Sequence, residues 1–257
     1  MSPLLSTWIA SMGWQGALNI LAIIALVVGI PCSFFIKFTP ELAGAKPFGH
    51  KEQEEDEAGV QQASTKAVLH SAAFWIVTLL MCVLQFPSVA NQMFPTYAAA
   101  VGFKATVGGF MVTAAMIFDI FLNPLFGSSA DKFGAEKASL GWMTVGLVSL
   151  ILLVVATNAK AAGLAIFAAG LNDIIYVFLG TGITALAQAT FGPRAFAKGF
   201  SMVGTVSFVV GAFAMPVNNM IAEKFGGFNA VFIFFGILMV VSMILVMIGS
   251  KEHFEEK

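Results

Sequence analysis

Two carboxyl side chains, Asp119 and Asp173, lie inside long apolar runs of the sequence. An ionisable side chain within a membrane span is costly, which favours a functional role for it. Asn123 follows Asp119 by four residues and shares its helix face, and Pro124 leaves one backbone carbonyl without a donor. The pattern predicts either a proton-coupling or cation-binding site that faces a cavity, or a buried hydrogen bond to a neighbouring helix.

Asp173 also begins a polar stripe. Tyr176, Gly180 and Thr184 follow it after three, seven and eleven residues, and this spacing places all four on one helix face. Such a stripe is typical of a substrate path along a wet cavity. It is equally typical of a cap and of interhelical contacts near one end of a span.

A comparable polar stripe lies within the apolar run at 73–100. It consists of Gln85, Ser88, Gln92 and Thr96. Pro87 and Pro95 predict bends in the same helix, because proline removes a backbone hydrogen bond. Interhelical hydrogen bonds would explain the stripe, and so would a cavity.

The small residues of the run at 197–222 predict close helix contacts rather than ligand binding, and they are Ser201, Thr205 and Gly211. No role is evident for Asn218 and Asn219.

The elements that must position these groups are membrane-spanning helices. Hydrophobic residues make up 58% of the chain and charged residues 11%, whereas a soluble domain carries roughly a quarter charged residues. The apolar runs are continuous and exceed the ~20 residues that cross a bilayer as a helix, and they lack the alternation of barrel strands. The sequence therefore predicts an all-α polytopic membrane protein with about seven transmembrane helices, at 13–36, 73–100, 106–127, 138–157, 161–191, 197–222 and 228–249.

The connecting segments predict how the chain is oriented. Residues 37–72 are hydrophilic and predict a solvated tether with a surface helix at 64–70, and residues 250–257 form a charged tail. If the helices alternate in direction, ten of the 13 Lys and Arg residues fall on one side. The positive-inside rule places that side, with the C-terminus, in the cytoplasm and the N-terminus outside. We expect an integral protein of the bacterial inner membrane.

One polar loop joins two of the apolar runs and carries a recognisable spacing, with Gly127, Asp131, Lys132 and Gly134 as its members. We expect a helix to end near Gly127, another to begin near Ala138, and Gly134 to adopt a positive φ in the reversal. The spacing resembles the Gly-x-x-x-Asp-(Arg/Lys)-x-Gly loop signature of the major facilitator superfamily. The second positive charge comes late, at Lys137.

A weak internal repeat agrees with this resemblance. Pro3, Gly13 and Ala17 recur 213 residues later as Pro216, Gly226 and Ala230. The superfamily is built from two parallel six-helix halves, so residues 1–36 are expected to contain the end of the fifth helix and the whole sixth helix. Residues 37–72 would be the central loop and 73–249 the C-terminal half. The resemblance thus implies a truncated chain that lacks its N-terminal half and does not transport alone.

Further stretches are similar to the oxalate:formate antiporter and monocarboxylate transporter branch, namely those at 40–44, 46–49, 94–98, 102–103 and 191–194. The resemblance implies alternating-access transport of a small organic anion such as a monocarboxylate, by symport or antiport and with protons as the coupling ion. It supports Gln85 and Gln92 as substrate contacts. The ionisable groups within the spans and their helix neighbours add four more predicted contacts, Asp119, Asn123, Asp173 and Tyr176. The spans have no central Lys or Arg, which argues against a dicarboxylate such as oxalate. A monoanion carried with a proton fits this composition, and a neutral or cationic solute fits it equally.

Other functional classes fit less well. A seven-span receptor-like protein that binds retinal would need a lysine within the last span, and residues 228–249 contain none. A non-transporting regulatory membrane protein is compatible with the sequence. His50, His70 and His253 do not cluster, and there is no phosphate loop or nucleophile motif, so no metal, cofactor or enzymatic activity is predicted. The expected partners are the lipid bilayer, a small-molecule substrate and protons, with no nucleic acid.

Overall fold

The computed structural model describes residues 3–35 and 63–249, and within them the chain is helical without a strand. The all-α fold predicted from the sequence is confirmed. The rest of the predicted central loop, 36–62, and the tail at 250–257 lie outside the described residues. The helices are α1 (Pro3–Phe35), α2 (Thr65–His70), α3 (Ala72–Ser88), α4 (Ala90–Val101), α5 (Ala105–Phe133), α6 (Ala135–Ala159), α7 (Ala162–Asn172), α8 (Ile174–Val177), a π-helical turn (Phe178–Gly182), α9 (Ile183–Gly211), α10 (Ala214–Lys224) and α11 (Phe228–Gly249).

Helix α1 forms a unit of its own. Gly13 interrupts it with φ 75° and ψ 169°, a conformation open to glycine and strained for other residues. The helix after this break is apolar on every side, and its large side chains such as Trp14 and Phe34 are exposed. A helix that is hydrophobic all round is typical of a membrane span. The break therefore begins the predicted span at 13–36.

The second unit contains α2 to α11 and buries one core. Helix α3 packs against α9 and α11, α5 packs against α4 and α7, and α6 packs against α7 and α11. Aromatic side chains fill the centre, where the Tyr97 ring lies 5.4 Å from Phe228 and 5.3 Å from Phe232, centroid to centroid. Apolar side chains such as Phe121 and Ile151 point outwards and are exposed. Apolar groups on both faces suit a unit surrounded by lipid.

Six helical segments of the described residues are long and apolar enough to cross a membrane, and the longest has 63 residues, Ala162–Lys224. A straight helix of that length would extend about 95 Å, three times the thickness of the hydrocarbon layer. It reverses at Gly192, which has φ 64° and ψ 176°. Three pairs of residues at equal distances before and after Gly192 face one cavity: Tyr176 with Phe208, Gly180 with Gly204, and Thr184 with Phe200. The segment is thus a hairpin of two spans, and all seven predicted spans have a counterpart.

The predicted boundaries of the polar loop were wrong. A helix end near Gly127 and a new start near Ala138 were expected, but α5 continues to Phe133 and α6 begins at Ala135. No helix-breaking residue stands between Gly127 and Phe133, so the helix extends past the apolar run. Gly134 alone makes the turn, with φ 86° and ψ 151°, and the positive φ expected for it is confirmed.

Three of the four signature residues are therefore helical. Gly127, Asp131 and Lys132 occupy the last two turns of α5, and the Lys132 ammonium lies 5.4 Å from the ring centroid of Phe133. This distance is within the range of a cation–π contact. The functional role of the four residues stays a prediction.

The end of the predicted tether is packed rather than solvated. The surface helix expected at 64–70 is α2, but Ala63 and Val68 are fully buried. The Ala63 backbone N–H donates to the Arg194 carbonyl at 3.1 Å, and the Lys198 ammonium donates to the Ala63 carbonyl at 2.9 Å. These two bonds fix the end of the tether to the hairpin turn that follows Gly192.

The conformation of Gly192 leads to a stability prediction. Gly192→Ala should lower the free energy of unfolding by at least ~1–2 kcal/mol, because an L-residue with positive φ is strained. Gly236→Ala is the matched control, since Gly236 is helical and its added methyl group would meet open space; alanine there should be neutral or stabilising by up to ~1 kcal/mol. Thermal unfolding followed by circular dichroism in detergent micelles measures both, and equal melting temperatures would contradict the hairpin geometry.

Candidate substrate cavity and carboxyl pair

A cavity of about 690 Å³ lies between α3, α4, α8, the π-helical turn and α9. Its polar lining consists of Gln85, Ser88, Gln92, Tyr176, Thr184, Ser201 and Thr205. Aliphatic and aromatic side chains, among them Phe200 and Phe208, complete the wall. No described lining residue carries a full charge at neutral pH. A largely apolar wall with a few polar groups is the usual composition of a small-molecule site.

Three of the predicted substrate contacts, Gln85, Gln92 and Tyr176, meet in this cavity. Their role as contacts stays a prediction. Thr96, predicted on the same stripe as Gln85, lines a separate cavity beside the turn between α10 and α11. The bend between α3 and α4 separates the two ends of that stripe.

Ser201 and Thr205 correct the sequence analysis, which assigned them to close helix contacts. Both side chains line the cavity, and each hydroxyl donates to a carbonyl within its own helix, at 3.0 and 2.9 Å. Small hydroxyl residues occur both in helix contacts and in cavities. Ser201 and Thr205 are four residues apart and lie opposite Tyr176 and Thr184 in the hairpin. This spacing indicates a cavity lining only once the hairpin at Gly192 is known.

The stripe predicted to begin at Asp173 divides at that residue. Tyr176, Gly180 and Thr184 line the cavity, whereas Asp173 is only 2% exposed and its carboxylate accepts a hydrogen bond from Asn91 Nδ2. The physical reason is a break in the helix: α7 ends at Asn172, and α8 is followed at once by the π-helical turn. The break at Asp173 changes the angular spacing on which the prediction depended, whereas the π-helical turn lies after Tyr176. Such turns are frequent at functional sites.

Asp119 and Asp173 form a carboxyl pair. They lie on different spans, and their carboxyl groups are close enough together to interact electrostatically. Asp173 Oδ2 is buried and has no hydrogen-bond donor among the described residues. Two ionised carboxylates this close repel each other strongly when water is excluded. A proton between them would remove the repulsion and supply the missing donor.

Asp119 accepts a hydrogen bond from Asn123, which shares its helix face. Asn123 Nδ2 donates to Asp119 Oδ1 at 2.8 Å, and Thr181 Oγ1 donates to Asn123 Oδ1 at 2.7 Å. Together with Asn91, these residues form a polar network that joins α4, α5, the α7–α8 junction and the π-helical turn. None of the described members of this network is a cation. The described network therefore has no fixed positive charge to keep both carboxylates ionised.

Asn218 is a functional candidate that sequence reasoning missed. It is fully buried, and its Nδ2 donates to the Phe86 carbonyl at 2.9 Å. That carbonyl lies where α3 ends, one residue before Pro87, and the helix resumes only after Val89. Asn218 thus ties α10 to the bend beside the cavity. The second predicted bend, at Pro95, is not a break, because α4 continues through it.

Comparison with known proteins identifies the family to which the chain belongs. The model of the Major Facilitator Superfamily matches residues 88–256, well over half of the chain. The chain belongs to the major facilitator superfamily. This agrees with the loop signature and with the apolar helices, and it makes the protein a membrane transporter of a small molecule.

The chain is also similar to one subunit of the NADH-quinone oxidoreductase of Acinetobacter baumannii, in strains AYE and ATCC 17978. In both cases the identity is 29% over 137 residues, which covers 50% of this chain and 74% of the relative. The likeness is weak and partial. Membership of the superfamily points to a transporter rather than an enzyme.

The contact of Asn218 leads to a second prediction. Asn218→Ala should destabilise the protein by ~0.5–1.5 kcal/mol, because it removes the hydrogen bond from the Asn218 carboxamide to the Phe86 carbonyl. Asn219→Ala is the control, since Asn219 is the adjacent amide on the same helix and is exposed. Thermal unfolding in lipid nanodiscs compares the two variants. An equal loss of stability in both would show that the bond to Phe86 contributes nothing.

Proposed function

We propose that this protein is a secondary active transporter of a small organic anion of the monocarboxylate class, coupled to protons through the Asp119–Asp173 pair. The observation that carries the proposal is the pair itself: two carboxyl groups on different spans that interact electrostatically, one with a buried oxygen that lacks a donor among the described residues. Transport would follow alternating access, in which one half of the fold rocks against the other around a site near the membrane midplane. The assignment to the oxalate:formate and monocarboxylate branch is part of the proposal.

The position of the cavity relative to the pair supports the coupling. Tyr176 lines the cavity and lies three residues after Asp173, and Gly180 lines it beside Thr181 of the polar network. A conformational change at the carboxyl pair can therefore be transmitted to the cavity through the short segment that joins Asp173 to Thr181. The π-helical turn in this stretch is the element that we expect to rearrange when the pair gains or loses its proton.

The charge of the cavity wall supports a single carboxyl group on the substrate. A buried charge needs a partner, and two uncompensated charges cost far more than one. The described lining residues offer amides and hydroxyl groups, not cations. A monoanion that moves together with a proton enters this cavity without net charge, whereas a dicarboxylate would not.

We further propose that residues 73–249 are one six-helix half of the superfamily fold and that 13–36 corresponds to the last span. The equivalent glycines of the internal repeat support this, since Gly13 and Gly226 both have positive φ, 75° and 95°. The facing wall of the cavity would belong to the N-terminal half. The proposal places the protein in a bacterial inner membrane with its N-terminus outside and its C-terminus in the cytoplasm.

The test of coupling is accumulation of radiolabelled lactate, under an imposed pH gradient, by proteoliposomes that contain this chain completed by the proposed N-terminal half. Asp119→Asn and Asp173→Asn should each abolish accumulation above equilibrium, because a carboxamide cannot bind and release the proton. Exchange of lactate between equal internal and external pools should persist, since it needs no net proton movement. Glu223→Gln, which removes an exposed carboxylate near the end of α10, should behave as wild type. Unchanged accumulation in the double Asp→Asn variant would refute the coupling role.

A further inference from the structure

The Gln85 side chain lines the cavity and carries one unsatisfied polar atom, Nε2. The residue is 6% exposed and lines the cavity wall. Its Nε2 is buried without a hydrogen-bond partner, and no described residue bonds to its Oε1. A buried donor left unpaired costs about 1–3 kcal/mol. Such a cost is commonly retained where a ligand supplies the missing partner.

Gly211 provides the space that this carboxamide occupies. A β-carbon added at Gly211 would lie 2.8 Å from Gln85 Oε1 and 3.0 Å from its Cδ. Any side chain there would push the amide out of its present place. Gly211 is therefore a positioning residue for Gln85, which is more specific than the general close contact predicted from the sequence.

The chemistry of a free carboxamide limits what it can recognise. It presents one donor and one acceptor on the same carbon. An un-ionised carboxyl group or a primary carboxamide matches both with two parallel hydrogen bonds. An ionised carboxylate offers acceptors only, so its second oxygen would face Oε1 without a proton between them. Tyr176 is the one ionisable group among the described residues that line the cavity, and it is not a cation.

We propose that Gln85, held in place by Gly211, recognises the un-ionised carboxyl or carboxamide group of the transported molecule through paired hydrogen bonds. The inference rests on the proposed function, because it takes the cavity to be the substrate path. It adds the protonation state in which the substrate is bound. A substrate acid would thus bind together with its own proton, and the amide of the same acid would bind at any pH.

The test is equilibrium binding of three matched probes to the full chain in lipid nanodiscs: lactic acid, lactamide and methyl lactate. Lactamide should bind independently of pH, and lactic acid should bind comparably only at a pH low enough to keep it un-ionised. Methyl lactate keeps the acceptor but lacks the donor, so it should bind about tenfold more weakly, the value of one to two hydrogen bonds.

Two substitutions separate recognition from stability. Gln85→Met keeps the length of the side chain and should reduce lactamide binding to the level of methyl lactate, while the melting temperature stays equal or rises because an unpaired buried donor is gone. Gly211→Ala should reduce the same preference by displacing the amide. Gln188→Met is the matched control, because Gln188 is exposed on α9 and lies outside the cavity lining; it should bind all probes as wild type does.

The inference is overturned if methyl lactate binds as tightly as lactamide, if Gln85→Met leaves lactamide binding unchanged, or if none of the probes binds. Failure of the proposed function gives a different result. Lactamide carries no ionisable proton, so its Gln85-dependent binding would persist in a protein that shows no proton-driven accumulation of lactate. In that case the coupling role of Asp119 and Asp173 would be refuted and the recognition role of Gln85 would stand.

Discussion

Within hydrocarbon a polar group has no water to bind, and the architecture of this protein follows from that constraint. Most buried hydroxyl groups of the described residues bond to a carbonyl of their own helix, as Thr78 and Ser149 do. A few bonds join different helices, such as that from Asn172 Nδ2 to Ser149 Oγ at 2.9 Å. In the described part of the chain, two of the five side chains that keep a buried atom without a partner are Gln85 and Asp173. Gln85 lines the cavity and Asp173 belongs to the carboxyl pair. In the proposed function, a ligand supplies the missing hydrogen-bond partner of Gln85 and a proton supplies that of Asp173.

Three of the helix interruptions lie beside the same two places. The bend at Val89 separates α3 from α4 beside the cavity, and the break at Asp173 and the π-helical turn separate the cavity from the carboxyl pair. Broken helices in membrane proteins are tolerated where they are buried in protein or line a cavity. The side chains at these breaks explain why: Asn218 satisfies the Phe86 carbonyl and Asn91 donates to Asp173. The rest of the helices provide a rigid frame around them.

The sequence predicted the fold more completely than it predicted the site. Continuous apolar runs determine the number of spans, and the i, i+4 spacing of Asp119 and Asn123 placed both on one helix face, where the structure joins them by a hydrogen bond. Helix ends were less predictable, since α5 extends beyond the apolar run until Gly134 stops it. Contacts between distant residues were not predictable at all. The pairing of Asn91 with Asp173 joins residues 82 positions apart, and no local pattern encodes it.

The central claim is that Asp119 and Asp173 share one proton inside the membrane. Infrared absorption of the reconstituted protein at neutral pH measures this directly, because a protonated carboxyl group has a C=O stretching band that a carboxylate lacks. The account predicts one such band at neutral pH, lost in Asp119→Asn and in Asp173→Asn alike, since either substitution removes the repulsion that holds the proton. A spectrum without a protonated carboxyl band, or a band that persists in both variants, would contradict it.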